Sequence, residues 1–128
     1  MPMQAPSDDL AESLTEAART AIGDELRSLT YFTDESVEQL YLRGDLEAAA
    51  DLVGFADLER LGFHSKAGYR ETELGAYQFT IRVFENGYLV RVIEDGHGVF
   101  VTTDAMARTR FEEVADALAA ILREAPET

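Results

Sequence analysis

Arg82 and Arg91 are the residues with the most chemistry to offer, because they flank a turn signal within one short stretch. Asn86-Gly87 separates the runs Tyr77–Glu85 and Tyr88–Glu94, both rich in β-branched and aromatic residues. Asn-Gly between such runs is a type I′ hairpin signal, so the two runs are predicted to pair as antiparallel strands. A two-residue turn fixes the register: Glu85 opposes Tyr88, Phe84 opposes Leu89, Val83 opposes Val90, Arg82 opposes Arg91, and Ile81 opposes Val92. One face then carries Phe79, Ile81, Val83, Val90 and Val92 and is expected to be core. The other carries Thr80, Arg82, Phe84, Leu89, Arg91 and Ile93. Two arginines directly across a strand pair repel each other, so an acidic group is expected over them. The first source is a carboxylate of this chain, from residues 45–73; the second is a carboxylate or phosphate on a partner or ligand. Arg82, Phe84, Leu89, Arg91 and Ile93 are therefore the candidate partner or ligand face.

Other chemistry is thin. His64 and His97 have no neighbouring His or Cys at metal-ligand spacing, and His97, between two glycines, reads as a turn residue. Gly96-His97-Gly98 is too short for a dinucleotide loop, which needs a third glycine and a following helix. Ser65-Lys66 lacks the spacing of a Ser-x-x-Lys nucleophile pair, and no Walker-type loop or Gly-x-Ser-x-Gly elbow occurs. The adjacent carboxylates Glu112 and Glu113, and Glu71 with Glu73, read as solvated faces. No catalytic residue, cofactor site or metal site is expected.

The elements that would position the two arginines follow from periodicity. Residues 1–7 read as a flexible lead. Ser7 or Asp9 can cap a helix whose apolar face is Leu10, Leu14, Ala17, Ala18, Ala21 and Ile22, with Gly23 as its stop. Residues 26–43 admit two readings. Leu26–Phe32 and Val37–Arg43 fit a hairpin around Thr33-Asp34-Glu35-Ser36, while Thr33 followed by two acids also fits a helix start; the hairpin is preferred for its β-branched and aromatic content. Asp45 can cap a second helix with Leu46, Ala49, Ala50 and Val53 on one face and a break at Gly54. A further piece, Phe55–Leu61, stops at Gly62, and 63–76 read as a loop. Asp95-Gly96-His97-Gly98 turns into a third meander strand, Val99–Thr103. A last helix runs from about Ala105 to Glu124 on Phe111, Val114, Ala115, Leu118, Ile121 and Leu122, leaving 125–128 as a tail. The expected class is α+β: an antiparallel sheet, a hairpin plus a three-stranded meander, with three helices in the order αββαβββα, as one domain over 8–124.

Composition sets the surroundings. Asp plus Glu outnumber Lys plus Arg by 25 to 11, a net charge of −14, and Lys66 is the only lysine. Such a surface repels itself in dilute buffer, whereas molar salt shortens the screening length to roughly 3 Å. A salt-rich compartment is the natural setting. The charge disfavours non-specific nucleic-acid binding. With no cysteine, disulfides and thiolate chemistry are excluded. No signal-peptide pattern opens the chain and no apolar run is long enough to span a bilayer, so a cytoplasmic location is expected.

Tyr77–Tyr88 and Gly98–Asp104, together with Gly23–Phe32 and Val37–Arg43, resemble a family of small, uncharacterised haloarchaeal proteins over about residues 15–122. That resemblance implies origin and compartment but no activity. The element order is also similar to the roadblock (dynein light chain 7-like) fold. Roadblock domains dimerise and scaffold small GTPases or signalling complexes, so this likeness implies a homodimer with a protein partner of that kind. The leading expectation is a non-catalytic interaction or regulatory domain. The alternative is a sensor of a small anionic ligand, PAS- or GAF-like, with the ligand between the sheet and residues 45–76. An enzyme is the least expected reading.

Overall fold

The computed structural model describes residues 7–46, 55–63, 73–94, 96–105 and 109–125. Residues 47–53 of the helix expected from Asp45, the loop positions 64–72 with His64 and Ser65-Lys66, and almost all of the lead and tail lie outside the described residues.

Helix α1 (Asp8–Ile22) begins at Ser7, whose hydroxyl accepts a hydrogen bond from the Leu10 amide at 3.1 Å. This satisfies one of the donors a helix start leaves open, and Asp8 and Asp9 in the first turn suit its positive end. The helix stops at Gly23, where φ is 80°, a value that side chains resist. A single 3₁₀ turn leads into strand β1 (Leu26–Thr33), which turns back as β2 (Val37–Leu42). The hairpin reading of 26–43 is therefore the observed one. Thr33 ties the turn: its Oγ1 accepts from the amides of Glu35 and Ser36 at 3.2 and 3.1 Å, the local bonding that lets a hydroxyl stand in for backbone.

A short helix, α2 (Phe55–Arg60), precedes the meander β3 (Thr80–Phe84), β4 (Gly87–Glu94) and β5 (His97–Asp104). The chain closes with α3 (Thr109–Glu124). The sheet is five-stranded and antiparallel, in the order β2-β1-β5-β4-β3, so β2 and β3 are its edges. Two long helices accompany it. The expected three helices in the order αββαβββα are not matched in full: α2 corresponds to the short piece expected at Phe55–Leu61, and α3 starts later than the expected Ala105.

Helices α1 and α3 pack together on one face of the sheet. Leu14, Ile22, Phe111, Val114, Leu118 and Leu122 close over Leu29, Tyr31, Val90, Val92, Val99 and Val101, all buried. Tyr88 meets Phe111 edge to face, with ring centroids 4.8 Å apart. The cover ends before the edge. Val90 and Val92 are core as expected, but Ile81 and Val83, on the same face of β3, are 37% and 58% exposed. The expectation that β3 contributes equally to the core is corrected: its outer position carries it past the helices.

His97 also departs from its expected role. It is the first residue of β5, fully buried, and not a turn residue. The loop joining β4 to β5 is only residues 95–96, with Gly96 at φ 89°. The His97 Nε2 lies 3.0 Å from the Leu122 carbonyl, which can only accept, so Nε2 donates; Nδ1 then takes the Tyr31 hydroxyl at 2.8 Å. The ring joins the sheet to the end of α3. Gly98 beside it is required because a Cβ there would press into the Phe32 ring of the paired strand.

Candidate functional site

The meander register differs from the one the Asn-Gly signal predicts. Phe84 pairs with Gly87, Val83 with Tyr88, Arg82 with Leu89, Ile81 with Val90, and Thr80 with Arg91. The turn residues are thus Glu85 and Asn86, and Gly87 belongs to β4. Gly87 serves a different need: it faces Asp104 on β5, and a Cβ there would overlap the Thr103 carbonyl oxygen. Close approach of two strands, rather than turn geometry, calls for this glycine. The slip amounts to two residues, which preserves the face of every side chain where a one-residue slip would have inverted it. Arg82 and Arg91 do share a face with Phe84, Leu89 and Ile93, but they sit diagonally, not directly opposite.

The acidic group over them comes from this chain. Glu59 of α2 is only 2% exposed and reaches both guanidiniums. Arg82 donates from Nε to Glu59 Oε2 at 2.7 Å and from Nη2 to Oε1 at 3.4 Å. Arg91 donates from Nη1 to the same Oε1 at 3.1 Å and to the Glu59 carbonyl at 3.3 Å. The bond to Glu59 raises the Arg82 pKa above its ordinary range. Glu59 thus supplies the internal carboxylate expected from 45–73.

Arg91 is 5% exposed and is held at both terminal nitrogens. Its Nη2 donates to Thr80 Oγ1 at 2.8 Å and to the Tyr77 hydroxyl at 3.2 Å. The guanidinium lies 5.7 Å from the Tyr77 ring centroid, a cation–π distance. Gly62 makes room for it, since a Cβ at Gly62 would occupy the guanidinium's place. The Arg91 Nε is buried and meets no acceptor among the described residues.

The five candidate residues therefore separate. Leu89 and Ile93 are buried with Phe32 and Phe100 in a second apolar cluster, which Phe55 and Phe63 of the α2 segment cover. Arg91 is buried beside them. Only Arg82, 45% exposed, and Phe84, 50% exposed, still face outward. Their neighbours were not foreseen. A cavity of about 550 Å³ opens between α2 and the β3–β4 pair, with Glu59, Tyr77, Thr80, Arg82 and Arg91 forming its polar side. Phe55, Leu58, Leu61, Phe84 and Leu89 form its apolar side, and Leu58 and Leu61 are largely exposed. A readable signal for Glu59 did exist: Phe55, Glu59 and Phe63 are spaced by four, which puts the carboxylate in the middle of an inward aromatic stripe.

Among the described residues no group of three His, Cys, Asp or Glu side chains gathers to hold a metal ion, and no helix is long and apolar enough to cross a membrane.

Residues 12–123 match a family described as a domain of unknown function (DUF7522), and the chain belongs to that family. No curated protein matches it. Among solved structures, the gliding protein MglB from Thermus thermophilus is similar at 14% identity and a TM-score of 0.57, over 98% of this chain and 99% of that one. A structure described as MglB with a tetrameric arrangement gives 15% identity and a TM-score of 0.59, over 97% and 98%. MglB from Myxococcus xanthus gives 11% and 0.55, over 94% of each chain. At these identities the likeness concerns the fold, which is the roadblock-like α+β fold of MglB.

Proposed function

From membership in a family of unknown function and a roadblock-like scaffold, we propose that this chain is a non-catalytic interaction or regulatory domain that works as a homodimer. The observation that carries the reading is the outer edge of the sheet. Among the described residues strand β3 pairs with β4 alone, and it presents Ile81, Val83 and Phe84, each more than a third exposed. An edge with free backbone groups and apolar side chains on both faces is a template for another strand. Proteins that stay monomeric usually blunt such an edge with charged residues, lysine above all, or proline; β3 has no lysine or proline, and its one charge, Arg82, is bonded to Glu59. The tetrameric arrangement recorded for one MglB accords with assembly by this fold.

A protein partner beyond the second copy, from a signalling system such as a small GTPase, follows from the roadblock likeness and belongs to the same proposal. So does a salt-rich, archaeal cytoplasm, which the charge of −14 and the single lysine support. Sedimentation equilibrium in molar KCl tests the dimer. The expected result is a dimer for the native chain and a monomer for Val83→Lys with an unchanged circular dichroism spectrum, its melting lowered only by the lost association. A native chain that sediments as a monomer at every concentration would sink the reading. Pull-down at the same salt, with the Val83→Lys chain alongside, tests for a further partner.

A further inference from the structure

We propose that the cavity between α2 and the β3–β4 pair binds a small amphipathic monoanion, a carboxylate carried on an apolar body. This goes beyond the interaction role, since it concerns a site within one chain. The first ground is charge. One carboxylate, Glu59, serves two guanidiniums, Arg82 and Arg91, and its Oε1 is shared between them. The cluster keeps one unit of positive charge in a chain whose net charge is −14. One further negative charge balances it; a doubly charged phosphate would overshoot.

The second ground is a shortage of acceptors. Arg91 Nε is buried without one, and the Nη1 of Arg82 makes no hydrogen bond among the described residues. Buried donors such as Arg91 Nε are nearly always paired; Arg82 Nη1, on a half-exposed side chain, is open to solvent and free to take a carboxylate, which guanidinium forks match best. Arg82, half-exposed at the cavity, is the group an incoming carboxylate meets. The third ground is shape. The lining also includes Phe55, Leu58, Phe84 and Leu89, and the cavity's volume is in the range that holds a small organic molecule. Guanidinium and apolar side chains line one space, with Arg82 and Leu89 paired side by side on the sheet, which suits an amphipathic anion better than an inorganic one.

The test is an amide NMR titration of the full chain at fixed KCl, with benzoate as the probe, benzyl alcohol as its uncharged counterpart and phosphate as the inorganic anion. Benzoate is expected to shift the amides of Leu58, Tyr77, Thr80 and Arg82 saturably, with a dissociation constant on the order of millimolar for so small a ligand. Arg82→Gln should weaken it about tenfold, the worth of one charge-assisted hydrogen bond. Leu58→Glu, an exposed change at the mouth, should weaken it as well, while Arg82→Lys retains part of the affinity. The proposal is overturned if benzoate gives no saturable shift at these residues, if benzyl alcohol or phosphate matches it, or if Arg82→Gln binds as the native chain does. Light scattering on the same samples reports the oligomer separately, so loss of binding and loss of the dimer are read apart.

Discussion

Among the described residues, one face of the sheet is closed by two long helices, the other by a helix of six residues. Beneath α1 and α3, Val90, Val92, Val99 and Val101 meet leucine, isoleucine and phenylalanine, and the contact is almost wholly apolar. Beneath α2, an apolar cluster around Phe32 and Phe100 adjoins a carboxylate shared by two guanidiniums. Apolar burial is non-directional and tolerates repacking. Buried charges tolerate little, because each must keep its partner. The first face is therefore expected to yield gradually to substitution and the second abruptly, and this difference can be measured.

Phe111→Ala should have the largest effect. It removes a fully buried ring from the helix-covered face, and such truncations cost about 3–5 kcal/mol. Glu59→Gln should come close to it with a far smaller change in volume. It leaves Arg91 buried with no countercharge, and breaking a buried pair costs about 3 kcal/mol or more. Urea unfolding of both variants in molar KCl measures the two losses. A Glu59→Gln loss under about 1 kcal/mol would mean that Arg91 is in effect solvated, and the contrast between the faces would fail. Because Glu59 and Arg91 are buried, the loss should be nearly the same at low and high salt.

Gly62→Ala sharpens the same contrast. The added methyl would overlap the Arg91 guanidinium, and overpacking costs about 1–3 kcal/mol. If the guanidinium is the cause, Gly62→Ala combined with Arg91→Leu should cost less than the sum of the two single changes, as neighbours sharing one space do. Simple additivity in a double-mutant cycle would place the strain elsewhere. Tyr31→Phe follows, at about 1 kcal/mol, since it removes the hydroxyl that meets His97 Nδ1.

Much of the framework was legible because it rests on local signals. Ser7 and Gly23 bound α1 by capping and by backbone freedom, and Leu14, Ala18 and Ile22 recur at helical spacing. The pairing of β3 with β4 was legible too, but not its register. The Asn-Gly rule weighs the turn alone, whereas Gly87 answers to Asp104 and Thr103 on β5, well downstream in the chain. A similar non-local demand hid His97: the glycines on either side look like turn residues, yet Gly98 is small because Phe32 lies on it. For the candidate site, the shared face of Arg82 and Arg91 and the need for a carboxylate could be read. That Glu59 supplies it, and that Leu89, Arg91 and Ile93 are covered by their own chain, depended on how α2 docks.

A second ion-pair cluster marks the weak end of the scale. At one end of β1, β2 and β5, Arg43 donates to Asp104 at 2.7 Å and to Asp45, also at 2.7 Å. These pairs resemble the Glu59 cluster in partners and distance but differ in surroundings, since Asp45 is exposed. The bond from Arg43 holds the Asp45 carboxyl below the usual carboxylate range. A group with a depressed pKa in the folded state stabilises above its unfolded pKa and loses that contribution as pH falls through the folded value. The native chain should thus exceed Asp45→Asn slightly at neutral pH, and the gap should close below about pH 4, where the unfolded carboxyl takes up its proton. Molar salt should shrink the gap at every pH, because the pair is open to solvent. Thermal melts of both chains across about pH 3–7 at low and high KCl read this directly. A gap that persists under acid and salt would show that exposure does not separate this cluster from the buried one.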